Sequence, residues 1–214
     1  MAASAEIDRR HASGRLAVVL RGGVDGNARL TALTAFVLLV LLAAEGATIP
    51  LIGTHLTLHM VLGLALVPAV LLKLGTTSWR FARYYFRDPA YVRRGPPHPL
   101  ARLLVAPLTV ASTLVIFVTG IAIVVMQPQR GLLVGLHKAS FVVWFGAMAV
   151  HVLGHLLDLP EHFRVDRERD LPGARLRSFL LTAALVAGAV VAVTALPAVH
   201  HWVDWAASHP RHDG

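Results

Sequence analysis

The sequence contains no cysteine among its 214 residues. This absence excludes disulfide bonds, iron–sulfur clusters held by cysteine thiolates and covalently attached c-type haem. A redox centre in this chain would therefore have to be held by histidine or methionine. The sequence has twelve histidines and four methionines that could take that role.

Charged residues are also scarce. They make up 15% of the chain, while hydrophobic residues make up 56% and the mean hydropathy is +0.63. This composition is too apolar for a soluble domain and indicates a polytopic membrane protein. We therefore expect an all-α helical bundle that lies in the lipid bilayer.

Five apolar runs are long enough to cross a bilayer, at roughly 30–50, 51–73, 101–127, 131–157 and 178–199. The first run lacks a convincing cleavage pattern, which predicts a retained span. Because the connections near residues 50 and 128 are short, spans one and two, and likewise three and four, are predicted to be antiparallel neighbours. The first four spans are expected to form one bundle over residues 30–158, with the fifth packed outside it.

Acidic residues are fewer than basic ones, 12 against 20, and the basic residues are distributed unevenly. Five precede the first span, six lie between the second and third spans, and five lie between the fourth and fifth. The opposite side receives three, two of which, Arg130 and Lys138, lie at the rim of the fourth span. The positive-inside rule then predicts a plasma-membrane protein with a cytoplasmic N-terminal segment (1–29), a cytoplasmic loop (159–177) and an extracytoplasmic tail (200–214). Orientation of the chain accounts for its net positive charge, so no nucleic-acid partner is expected.

The fourth span carries three histidines, His137, His151 and His155. On a helix, His151 lies about 40° around the axis from His137 and about 21 Å along it, and His155 lies a whole number of turns from His137. All three rings therefore face one way. A polar stripe in a membrane helix must face protein and not lipid.

An internal repeat relates the first pair of spans to the second pair. A shift of 78 residues brings the Leu-His pair that ends in His59 onto the pair that ends in His137, and brings Lys73 onto His151. The repeat predicts that His59 and His137 face each other across the bundle at similar depth. His55 lies one turn above His59 and is a candidate substitute ligand or hydrogen-bond partner of that residue.

Two explanations compete for these histidines. A single intramembrane histidine often serves as a hydrogen bonder between helices, and this explanation suits His55 or His155 taken alone. His59 and His137, matched in motif and depth, are better explained as ligands from facing helices of a bundle. A porphyrin would fit such a pair, with its propionates near Arg130 and Lys138.

The pattern resembles the bacterial membrane cytochromes b, which have a four-helix haem-binding bundle. The resemblance is carried by L-H-x13-H-x3-H in the fourth span, L-H-x3-G in the second and the YY…Y…GPP loop between them. Within this group, the sequence is most similar to small membrane subunits that accompany molybdopterin-dependent oxidoreductases. It is less similar to ferric-reductase-like transmembrane domains. The resemblance implies that His59 and His137 are the axial ligands of an outer haem b and that His151 is a ligand of an inner one.

The sequence departs from the family pattern at Lys73, where a bundle with two haems would need a second histidine. We therefore expect one haem, and an inner haem only if His98 or another loop residue completes its site. The expected function is electron transfer between a quinone or cytoplasmic donor and an extracytoplasmic oxidoreductase partner, with no catalysis by the chain itself. A histidine-lined transporter or metal-handling protein without haem, and a membrane anchor without redox function, stay open as alternatives.

Overall fold

The structure, a computed structural model, describes residues 22–93, 104–126, 131–156 and 172–209. These residues are almost entirely helical and contain no β-strand, which confirms the predicted all-α class. Four helical stretches are long and apolar enough to cross a membrane: Gly23–Tyr85, Ala106–Val125, Leu132–Gly154 and Ala174–Ser208. The first of these contains two helices joined by a tight turn.

The long helices are α1 (Gly23–Thr48), α2 (Ile52–Tyr85), α3 (Ala106–Val125), α4 (Leu132–Leu156) and α5 (Ala174–Ser208). A 3-10 turn at Ile49–Leu51 separates α1 from α2, and a short helix at Pro89–Val92 follows α2. Each long helix coincides with one of the predicted apolar runs. Three of them are longer than predicted, because α1 begins at Gly23, α2 continues past residue 73 to Tyr85, and α5 extends from Ala174 to Ser208. Hydropathy detects only the apolar part of a helix, whereas the backbone hydrogen bonds continue through polar sequence.

Helices α1 and α2 form an antiparallel pair, as the short connection predicts. Leu38 of α1 belongs to a buried cluster with Leu66 of α2. Further along, Lys73 Nζ donates a hydrogen bond to the carbonyl oxygen of Thr31 at 3.0 Å. The contacts move towards the start of α1 as they move towards the end of α2, which defines the antiparallel arrangement.

Helices α3 and α4 form a second antiparallel pair. The indole Nε1 of Trp144 donates to the hydroxyl of Thr113 at 3.0 Å. Nearer the connection between the helices, the ring of His137 contacts Thr119. The two helical pairs correspond to the two halves of the repeat in the sequence.

The sequence predicted that α5 packs outside the other helices, and this prediction is wrong. Helix α5 runs along α2 and also contacts α1 and α3. Its residues Val199 and Trp202 belong to the main buried cluster, together with Met60 and Leu64 of α2 and Val124 of α3. Close approach is possible because α5 has a glycine where it meets α2, and small residues let membrane helices pack tightly.

The first residues of α1 and α5 lie at the same end of the molecule. A side chain at Gly22 would contact the carbonyl oxygen of Pro172 at 2.8 Å and the guanidinium of Arg177 at 3.1 Å. Arg177 itself donates to that carbonyl at 2.8 Å. Helices α1 and α5 therefore begin at the same end of the molecule.

Every long helix exposes large apolar side chains. Examples, one from each helix in order, are Phe36, Leu71, Val118, Val142 and Val193, all at least half exposed. A soluble protein would leave few such groups in water. Their distribution around the molecule matches a surface that contacts lipid.

Candidate functional site

His59 lies in the first half of α2 and faces α1. Its Nδ1 is 3.0 Å from Glu45 Oε1 and 2.9 Å from Thr48 Oγ1. The Thr48 hydroxyl donates its proton to the Glu45 carbonyl oxygen at 2.5 Å, so towards His59 it acts as an acceptor. Both neighbours therefore accept from His59, and the network assigns the ring proton to Nδ1. Nε2 is then the nitrogen with a lone pair for a ligand.

Glu45 contacts His59, and the sequence alone did not assign it to the site. Its side chain is 14% exposed, and its Oε2 is buried without a hydrogen-bond partner among the residues that the structure describes. The absence of a side chain at Gly63 leaves room for it, since a Cβ there would lie 3.3 Å from Glu45 Oε1. The short connection between the first two spans could have predicted this contact, because a tight turn places the end of α1 beside the start of α2.

His137 lies in the first half of α4 and faces α3. Its Nδ1 is 3.1 Å from the carbonyl oxygen of Ile116 and 3.0 Å from Thr119 Oγ1. The Thr119 hydroxyl donates to the carbonyl oxygen of Val115 at 2.7 Å, so this hydroxyl is also an acceptor towards the ring. The network again assigns the ring proton to Nδ1 and leaves Nε2 for a ligand.

Gly120 of α3 makes room for the His137 ring. A Cβ at this position would lie 3.1 Å from His137 Cε1 and 3.6 Å from Nδ1. The shorter of these distances is tighter than ordinary van der Waals contact, so the ring would have to move. Glycine at position 120 therefore helps to determine where the imidazole lies.

His59 and His137 lie within range of each other's charge, although they belong to different helical pairs. Each ring is held at Nδ1 by acceptors on the neighbouring helix of its own pair. The result is a site with two oriented imidazoles, each with Nε2 able to coordinate.

His55 does not join this pair. The α2 backbone departs from helical geometry at His55, with φ −120° and ψ 28°, so the regular one-turn spacing to His59 is interrupted. The His55 side chain is exposed, and its Nδ1 contacts the hydroxyl of the adjacent Thr54 at 2.7 Å.

The remaining predicted residues lie apart from the pair or outside the described structure. His151 is partly buried on α4, about 21 Å of helix from His137. Lys138 is exposed on α4. His155 lies in α4, but its side chain falls outside the description, and Arg130 lies outside the described residues.

Lys73 makes its hydrogen bond within the α1–α2 pair. Its Nζ donates to the Thr31 carbonyl within the α1–α2 pair, so the amine is directed towards α1. The repeat in the sequence predicted Lys73 at the position that corresponds to His151 in the other half.

Comparisons with known proteins add no relative. No protein-family model, no curated protein and no solved structure matches this chain. The functional interpretation therefore depends on His59, His137 and the groups that hold them.

Proposed function

We propose that the chain is a membrane cytochrome b, an electron-transfer subunit that holds non-covalent haem b between His59 and His137. The observation that carries this proposal is that the imidazoles of His59 on α2 and His137 on α4 lie within range of each other's charge, and that each is held at Nδ1 so that Nε2 can coordinate. The absence of cysteine is consistent with ligation by histidine alone.

The donor groups fit haem better than a bare metal ion. Histidines that bind a metal through one ring nitrogen usually donate the N–H of the other to a carboxylate or carbonyl, and this hydrogen bond orients the ring and raises the basicity of the ligand nitrogen. Both His59 and His137 have such an acceptor at Nδ1. An ion bound by side chains alone usually takes three or four protein ligands, whereas haem iron takes two or fewer. Across the described ranges, no group of three or more histidine, aspartate or glutamate side chains could hold a metal ion.

The residues of the chain have distinct tasks in electron transfer. Haem, when bound, supplies a one-electron iron couple. His59 and His137 would hold and orient the iron, and their Nδ1 hydrogen bonds keep both rings in the tautomer that can coordinate through Nε2. Gly63 and Gly120 provide space beside Glu45 and the His137 ring.

The proposed topology has five spans. The antiparallel packing of α1 and α2 supports two crossings within Gly23–Tyr85. With the N-terminus cytoplasmic and the tail outside, His59 and His137 lie in the outer half of the plasma membrane. This position suits transfer between a quinone or cytoplasmic donor and an extracytoplasmic oxidoreductase partner, which the family resemblance suggests is molybdopterin-dependent.

The test is the dithionite-reduced minus oxidised spectrum of detergent-purified protein from a haem-replete host. We expect a low-spin haem b spectrum that is lost in His59→Gln and in His137→Gln. His55→Gln is the matched control, because this exposed histidine of the same helix should leave the spectrum unchanged. A colourless wild-type protein that cannot be reconstituted with hemin would reject the haem proposal.

The same preparations decide between one haem and two. We expect one haem per chain in the wild type and in His151→Gln, because position 73, which the repeat aligns with His151, holds a lysine whose amine binds the Thr31 carbonyl. A ratio near two that falls by one in both His137→Gln and His151→Gln would establish an inner haem.

One observation favours a second candidate function. The contact between Glu45 and His59 joins a carboxylate to an imidazole inside an apolar helical pair, and such pairs occur in intramembrane ion and proton pathways. A haem-free protein that moves protons or divalent metal ions across proteoliposome membranes, and loses this activity in Glu45→Gln, would support the transporter. A haem-free protein without transport would support the anchor.

A further inference from the structure

The two imidazoles of the site are held by chemically different acceptors. The His59 Nδ1–H faces the carboxylate of Glu45 and the hydroxyl of Thr48. The His137 Nδ1–H faces only neutral groups, which are the carbonyl of Ile116 and the hydroxyl of Thr119. The geometry is similar on both sides, with distances of 2.9 to 3.1 Å, so the difference between the two sides is the charge of the acceptor.

The side chain of Glu45 depends on His59 for its polar contact. Its Oε1 contacts the His59 ring, and its Oε2 is buried with no hydrogen-bond partner in the described ranges. A carboxylate in an apolar environment is costly unless a donor or a positive charge compensates it. Positive charge on the far side of the His59 ring would therefore stabilise Glu45.

We propose that Glu45 is a positioning residue that orients His59 towards the haem iron and makes His59 the more basic of the two ligands. The inference rests on the proposed haem function and adds a role for a residue that does not itself touch the iron. A hydrogen bond to a charged acceptor is roughly twice as strong as one between neutral groups. It also raises the basicity of the coordinating nitrogen, and a more basic ligand favours the oxidised metal. Glu45 therefore lowers the midpoint potential of the bound haem.

Four variants separate position from charge. Glu45→Gln keeps an oxygen that can accept from His59 and removes the negative charge, while Glu45→Ala removes both. Thr48→Val removes the neutral acceptor beside His59. Thr119→Val is the matched change beside His137, where the Ile116 carbonyl still accepts.

Hemin titration and redox potentiometry of the purified variants provide the measurements. We expect Glu45→Ala to bind hemin about 10- to 100-fold more weakly than the wild type, the usual effect of removing such a partner. Glu45→Gln should keep the low-spin spectrum and bind iron(II) haem over iron(III) haem about tenfold more favourably than the wild type, which raises the midpoint potential by about 59 mV. Thr48→Val and Thr119→Val should shift the potential less.

The measurements distinguish failure of the Glu45 proposal from failure of the haem proposal. A wild-type potential in Glu45→Gln, or an equal shift in Thr119→Val, would overturn the role of Glu45 while the haem function stands. If Glu45→Ala does not give a folded protein in size-exclusion chromatography, the potential of Glu45→Gln alone decides. A wild-type protein that binds no hemin would instead reject the proposed function itself.

Discussion

Replacing Gly188 with alanine tests the contact that places α5 in the core. Gly188 of α5 lies directly against the backbone carbonyl group of Ala65 in α2. An added Cβ would overlap with the carbonyl oxygen and lie 3.2 Å from the carbonyl carbon. A backbone carbonyl in a helix cannot rotate away as a side chain can, so the two helices would have to separate.

The magnitude follows from two opposing terms. Forcing an extra methyl group into a packed interface costs about 1–3 kcal/mol. Alanine in place of glycine in a helix gains about 1 kcal/mol. Gly146 of α4 is the matched control, because it is exposed and a Cβ there would meet no atom within 4 Å. The helix term cancels between the variants, so Gly188→Ala should be less stable than Gly146→Ala by about 1–3 kcal/mol.

Thermal unfolding of both variants in the same detergent gives the comparison. For a protein of this size, each kcal/mol corresponds to about 2–4 °C in Tm, so the two variants should differ by about 2–12 °C. Equal stability, or a Gly188→Ala variant more stable than Gly146→Ala, would refute the α2–α5 contact. It would also restore the expectation that α5 packs outside the other helices.

Two further predictions concern the site and the topology. Gly120→Ala should displace the His137 ring, because the added Cβ would lie 3.1 Å from it, and should weaken hemin binding. Gly135→Ala on α4 is the control, because its Cβ meets no atom within 4 Å and hemin binding should be normal. Equal hemin binding by the two variants would show that Gly120 does not determine the ring position. Because the chain has no cysteine, single cysteines at Arg87 and Ser208 can be labelled selectively with an impermeant maleimide. Position 208 should react in intact cells and position 87 only after permeabilisation, and the reverse pattern would contradict the proposed orientation.

The class of the molecule and the two histidines of the candidate site could be predicted from the sequence. Composition and apolar run length are properties of the chain alone, and they suffice for an all-helical membrane protein with short connections. Helical periodicity and the internal repeat also selected His59 and His137, and the structure shows each of these rings hydrogen-bonded at Nδ1 to a neighbouring helix. The helix ends were predicted less well, because α2 and α5 continue through polar sequence that hydropathy does not assign to a span.

Other features were decided only by the tertiary structure. These are the contact of Glu45 with His59, the binding of the Lys73 amine to the Thr31 carbonyl and the place of α5 in the core. Apolar side chains are equally compatible with lipid and with another helix, so hydropathy cannot say which face of a membrane helix is buried. That choice depends on local shape and hydrogen bonding, such as a glycine that admits a neighbouring carbonyl or a carboxylate within reach of an imidazole. These relations exist only once the helices are packed in three dimensions.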